Sequence, residues 1–146
     1  MIHLKITILG SESTEIQFSI LSRSHPECRD YWDGNWLACN IKLCVSGVNT
    51  SFSANLRTDE FKSFLDGLIA LARYQSNSTG LYSMEPYVDL TCKVKAPGKL
   101  EWSGHVYSRS DTFELSFTSD QSLLPQIIKE LEDLLSVFPV IGEPNE

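Results

Sequence analysis

The stretch YVDLTCKVKAPGKLEWSGHVY, residues Tyr87–Tyr107, carries the plan of the fold. Pro97-Gly98 marks a turn, and a three-residue loop from Ala96 to Gly98, with Gly98 left-handed, sets Lys95 opposite Lys99. Val94 then meets Leu100, Cys92 meets Trp102, Leu90 meets Gly104 and Val88 meets Val106. The other face pairs Lys93 with Glu101, Thr91 with Ser103, Asp89 with His105 and Tyr87 with Tyr107. One face is apolar, and on the other unlike charges meet, which is the signature of a half-buried antiparallel hairpin.

The same alternation recurs on both sides. Residues 2–9 place Ile2, Leu4, Ile6 and Ile8 on one face, and residues 14–21 do so with Ile16, Phe18 and Ile20. Residues 35–45 (Leu37, Cys39, Ile41, Leu43, Val45), 50–56 (Phe52, Ala54, Leu56) and 113–117 (Phe113, Leu115, Phe117) follow the rule as well. Pairing Ser46 with Asn49 leaves Gly47-Val48 as the turn, with Leu43 opposite Phe52 and Ile41 opposite Ala54. A helix with Thr58 as N-cap carries Phe61, Phe64, Leu65, Leu68, Ile69 and Ala72 at spacings of three and four, and Gln75 to Gly80 stops it. A second helix runs from about Ser122 to Phe138, capped near Ser122 so that Pro125 falls in its first turn. Gly142 to Glu146 reads as a frayed tail. The expectation is one α+β domain over 1–146, in two layers: an antiparallel sheet of about seven strands with two helices packed on one face. Two β-meander-plus-helix units, 1–75 and 80–141, fit this pattern.

Composition narrows the function. The 146 residues are 42% hydrophobic and carry a net charge of −7. That suffices for a core without disulfides and argues against a nucleic-acid backbone as partner. No apolar run approaches the about 18 residues of a membrane span, and the start lacks the sections of a signal peptide, so a cytoplasmic protein is expected. Cys28, Cys39, Cys44 and Cys92 form no CxxC pair. His25 and Cys28 alone do not make a metal site, and neither cofactor nor metal is expected. Asp89, Ser103 and His105 could be written as a catalytic set, but an outer sheet face offers no pocket and no oxyanion donors, so the protein reads as no enzyme.

Ser22 to Gly34, SRSHPECRDYWDG, is the one long irregular segment. Its acids and rings, Glu27, Asp30, Tyr31, Trp32 and Asp33, are the residue types that steer and anchor a protein partner. Trp36 and Trp102 are read as structural. A small-ligand-binding or enzymatic α+β domain, and self-association through an exposed strand edge, remain as other classes.

DYWDGNWL, Asp30 to Leu37, together with WSGHVYSRSDTFELSFTSD, Trp102 to Asp120, resembles the WapI-type immunity proteins of bacterial polymorphic toxin systems. Asp33, Asn35, Trp36 and Leu37 match the first element, and Trp102 and Gly104 the second. The resemblance implies a small acidic protein that binds and neutralises a toxin domain, with a basic toxin as the complement of the acidic charge.

Overall fold

A computed structural model describes residues 4–45 and 47–145. Ile2 and Ser46, which the sequence places in the first strand and the first tight turn, lie outside the described residues. The chain runs β1 (Leu4–Leu9), β2 (Glu15–Arg23), α1 (Tyr31–Gly34), β3 (Trp36–Val45), β4 (Val48–Arg57) and α2 (Thr58–Ala72). It continues with β5 (Ser78–Tyr82), β6 (Val88–Ala96), β7 (Lys99–Tyr107), β8 (Thr112–Asp120), a 3-10 turn (Gln121–Leu123) and α3 (Leu124–Val137). The α+β plan holds in finer form: two antiparallel sheets of four strands, β1-β2-β3-β4 and β5-β6-β7-β8. The strand beyond the expected seven is β5, in the segment read only as the end of a helix. It is short, and its Ser78, Thr79 and Gly80 give no apolar alternation.

The apolar faces become one core. Ile6, Ile8, Ile16, Phe18, Leu37, Ile41, Leu90, Cys92 and Trp102 are fully buried, and Phe61, Phe64, Leu68, Ile127, Leu131 and Leu134 meet them from α2 and α3. Trp102 stacks on Phe117 at 6.1 Å and meets Phe64 edge-on at 6.3 Å, which bears out its structural role. The sheets join where Ser11 donates its N–H to the Thr118 carbonyl (2.8 Å) and Ser119 donates its hydroxyl to the Leu9 carbonyl.

The β6–β7 register matches the reading from Val88↔Val106 to Val94↔Leu100. At its mouth it differs. Ala96, not Lys95, pairs with Lys99, and Lys95 is the extra residue of a bulge. Pro97-Gly98 is thus a two-residue turn with Gly98 at φ +80°, and Lys95 escapes Lys99 to reach Glu101 at 3.8 Å. The β3–β4 register also departs, with Val45↔Val48, Leu43↔Thr50 and Ile41↔Phe52. A slip of two residues keeps every side chain on its face, so apolar alternation could not detect it. The positive φ of Gly47 (+80°) fixes it at the second turn position instead.

Helix caps move too. Arg57 is the N-cap of α2, its N–H held by Glu60 Oε1 at 2.8 Å, because the Thr58 hydroxyl is engaged elsewhere. Asp120, not Ser122, caps the last helical segment, accepting the Ser122 N–H at 2.9 Å. Among the described residues no helix is long and apolar enough to cross a membrane.

Candidate functional site

The structure brings the five expected partner-binding residues together on one small surface. Tyr31, Trp32 and Asp33 lie on α1, Asp30 is its N-cap, and Glu27 sits on the preceding loop. The Asp30 carboxylate accepts the Asp33 N–H at 3.0 Å. Glu27, Asp30, Trp32 and Asp33 are exposed, Trp32 by 48%, while Tyr31 is half-buried with its ring edge-on to Trp32 at 5.0 Å.

Beneath this surface lies Arg57, fully buried. Its Nη1 donates to the Trp32 carbonyl and its Nη2 to the Tyr31 carbonyl, both at 2.7 Å. Its Nε donates to Asp59 Oδ1 at 2.9 Å. The guanidinium carbon also stands 5.0 Å from the Tyr31 ring centre, 5.5 Å from that of Trp32 and 5.0 Å from that of Trp36. A buried cation is tolerated only when hydrogen-bonded and paired, and a flat guanidinium suits both carbonyl forks and ring faces. Burial, with the Asp59 carboxylate next, pushes the Tyr31 phenol above its ordinary pKa. Burial likewise raises Glu60, against the pull of the Arg57 and Met84 N–H groups that its carboxylate accepts.

Asn35, also fully buried, ties the surface to the start of α2 and to the segment around Ile141. Its amide nitrogen donates to the carbonyls of Tyr31 (3.0 Å) and Ile141 (2.9 Å). Its Oδ1 accepts from the Thr58 hydroxyl (2.7 Å) and the Ile141 N–H (3.0 Å). Arg23 donates to the carbonyls of Gly34 (2.7 Å) and Pro139 (2.6 Å). Gly142 follows directly, at φ +70°, against the Tyr31 backbone. The chain just before the expected frayed tail, together with Gly142, is therefore pinned under α1. The sequence gave no sign of this, because main-chain groups of residues 139 and 141 make the contacts.

Arg57 is the residue that sequence reasoning missed. It sits on the face of β4 shared with the exposed Asn55 and Ser53, where an arginine is ordinarily solvated. The only signal was three rings close together in sequence, Tyr31, Trp32 and Trp36.

The other candidates fare differently. Asp89 stands opposite His105, as read, but no hydrogen bond or ion pair joins them among the described residues, and His105 stacks on Tyr107 at 5.9 Å. Ligand atoms of Cys28, Asp30 and Asp33 lie within 4.8 Å of one another, without His25. Desolvation and the charges of Glu27, Asp30 and Asp33 raise the Cys28 thiol, away from the thiolate that a metal or a nucleophile requires.

The sequence of the described fold matches the Immunity protein WapI-like family over residues 7–139. The chain belongs to this family. Of the residues that carry the WapI resemblance, Asn35, Leu37 and Trp102 are buried in the fold, and only Asp33 is exposed. No curated protein matches the WapI-like chain. Among solved structures it is similar to a chain in crystal structures of Trypanosoma brucei MRP1/MRP2, at 14% identity and a TM-score of 0.51, covering 92% of this chain and 84% of that one. It is also similar to a chain of a guide-RNA-binding protein complex bound to a guide RNA, at 14% identity and a TM-score of 0.48, covering 92% and 89%. The likeness to MRP1/MRP2 is one of fold alone.

Proposed function

We propose that this protein is an immunity protein of the bacterial cytoplasm, which binds a cognate toxin domain and neutralises it without catalysis. The family match over residues 7–139 carries the reading. The α1 surface supports it: Trp32 offers exposed apolar area, and the exposed Glu27, Asp30 and Asp33 add negative charge on the same segment. Rings held in place beforehand lose little freedom on binding, and acids at a rim steer a basic partner.

Where the adjacent gene encodes a toxin domain, that domain is the probe. Glu27→Lys with Asp33→Lys leaves the Asp30 cap and the Arg57 cluster in place. The double variant should melt as wild type does, bind the toxin domain with a lower on-rate, and lose the salt dependence that screening over about 8–10 Å produces. Trp32→Ala should speed dissociation and reduce protection of cells. Wild-type protein that neither binds nor protects against that toxin would overturn the immunity role. Variants that bind and protect as wild type would move the interface away from α1 and leave the role standing.

A further inference from the structure

We infer that the free edge of β4 pairs with β4 of a second copy of this chain, joining the two four-stranded sheets across a two-fold axis. The inference does not rest on the immunity reading. β4 ends its sheet and pairs with β3 over Val48–Arg57 without a register shift. Edge strands of this length are ordinarily blunted by lysine, proline, a bulge or a covering element. The β4 run VNTSFSANL, Val48–Leu56, has no charge, no proline and no bulge. The other edges are treated differently. Thr7 of β1 gives its N–H to Glu130 of α3, β8 gives its Thr118 carbonyl to Ser11, and β5 lies against α2 where Gly67 meets Thr79.

The hydrogen-bond directions show what the edge presents. Thr58 donates its N–H toward β3, to the Asn35 carbonyl, and Arg57 turns its N–H the other way, to Glu60. Stepping back by two residues, Asn55, Ser53, Ser51 and Asn49 aim their N–H and C=O groups outward, as antiparallel pairing requires. Among the described residues these outward groups have no partner. A groove of about 670 Å³ runs along Thr50–Asn55, reaching Leu21, Ala38 and Cys39 on the neighbouring strands, with Tyr87 and Ser108–Asp111 also lining it.

The sequence selects the occupant. Asn49-Thr50-Ser51-Phe52-Ser53-Ala54-Asn55 reads nearly the same in both directions about Phe52. Antiparallel pairing centred on Phe52 sets Asn49 against the partner's Asn55 and Ser51 against the partner's Ser53. Every outward backbone group then meets its complement. Amide faces amide and hydroxyl faces hydroxyl, pairs that can hydrogen-bond across strands. The Phe52 rings, half-buried in one copy, meet at the axis in the closely spaced, non-hydrogen-bonded position. This is the self-complementarity of an isologous contact. The chain's net charge of −7 opposes association, but the strand itself adds no like-charge pair.

Sedimentation velocity on the full, untagged chain over a concentration series tests this. Wild type should show a reversible dimer. Ser51→Lys with Ser53→Lys places lysine opposite lysine and should raise the dimer dissociation constant by about tenfold or more, without moving the melt of these exposed positions. Ser51→Glu with Ser53→Glu should do the same, and mixing the two variants should restore a mixed dimer. Ser53→Pro, which removes one outward N–H and no β3 ladder bond, is an independent block. Wild type that stays monomeric up to about 0.2 mM, a concentration that populates even weak dimers, overturns the inference. A dimer equally stable in the lysine variant overturns it as well, since another face then holds the copies. A monomeric wild type whose lysine variant alone loses a toxin domain would assign the edge to the toxin instead.

Discussion

Replacing Arg57 with methionine keeps most of the side-chain length and removes the buried cation. The guanidinium makes hydrogen bonds to the carbonyls of Tyr31 and Trp32 and to Asp59 Oδ1. The Tyr31 carbonyl keeps a second donor in Asn35, and the Asp59 side chain, 24% exposed, regains water. The Trp32 carbonyl loses its donor, and three ring contacts lose their cation. Charge-assisted hydrogen bonds contribute about 1.5–3 kcal/mol each, and breaking a buried charged arrangement costs about 3–5 kcal/mol. With the two compensations, the loss should fall near the lower end, about 3 kcal/mol, a large share of a typical domain's stability. Urea melts followed by circular dichroism should show the midpoint falling with the slope unchanged, and Tm should drop by roughly 10 °C. Arg57→Lys should lose nearly as much, because an ammonium cannot fork to two carbonyls. A loss under about 1 kcal/mol in the methionine variant would refute the reasoning, since the guanidinium would then not be holding α1. Full rescue by lysine would assign the effect to charge rather than to geometry.

Trp102→Ala should cost about 3–5 kcal/mol in the same melts, as a fully buried ring facing Phe64 and Phe117 leaves a cavity. Trp102→Phe should cost less than its lost area suggests, because the Trp102 indole N–H is buried with no partner among the described residues. Thiol labelling at mildly alkaline pH should modify Cys28 and Cys44 in the native protein and spare Cys39 and Cys92, whose burial pushes their thiols up to about 12. In denaturant all four should react, and native labelling of Cys92 would place it outside the core.

Most of the fold was legible because it is written in alternation. Val88, Leu90 and Cys92 against Val106, Gly104 and Trp102 define both faces and register, since turn and pattern constrain the same hairpin. β3–β4 slipped by two because face patterns repeat every two residues, leaving only the turn to decide. β5 was invisible because its pairing is made by backbone, with Leu81 its single fully buried side chain. The candidate surface was legible as composition and not as construction. Acids and rings stand in the sequence from Glu27 to Asp33, but the Arg57 that seats them is separated from Trp32 by 25 positions, and the Ile141 backbone from Asn35 by 106. Contacts of that separation leave no local pattern to read.

The pinning of residues 139–142 under α1 bears on how the protein is made. Synthesis runs from the N-terminus, so the sheet of β1–β4, together with Asn35 and Arg57, leaves the ribosome long before Ile141 does. Until then each Asn35 amide group keeps only its other partner, the Tyr31 carbonyl or the Thr58 hydroxyl, and the turn bearing Tyr31 and Trp32 lacks its last support. The surface thus reaches its final geometry only once residues 139–142 have been made and have docked. A nascent chain carries the recognition residues without presenting them, and a product truncated before Pro139 should stay in that unfinished condition.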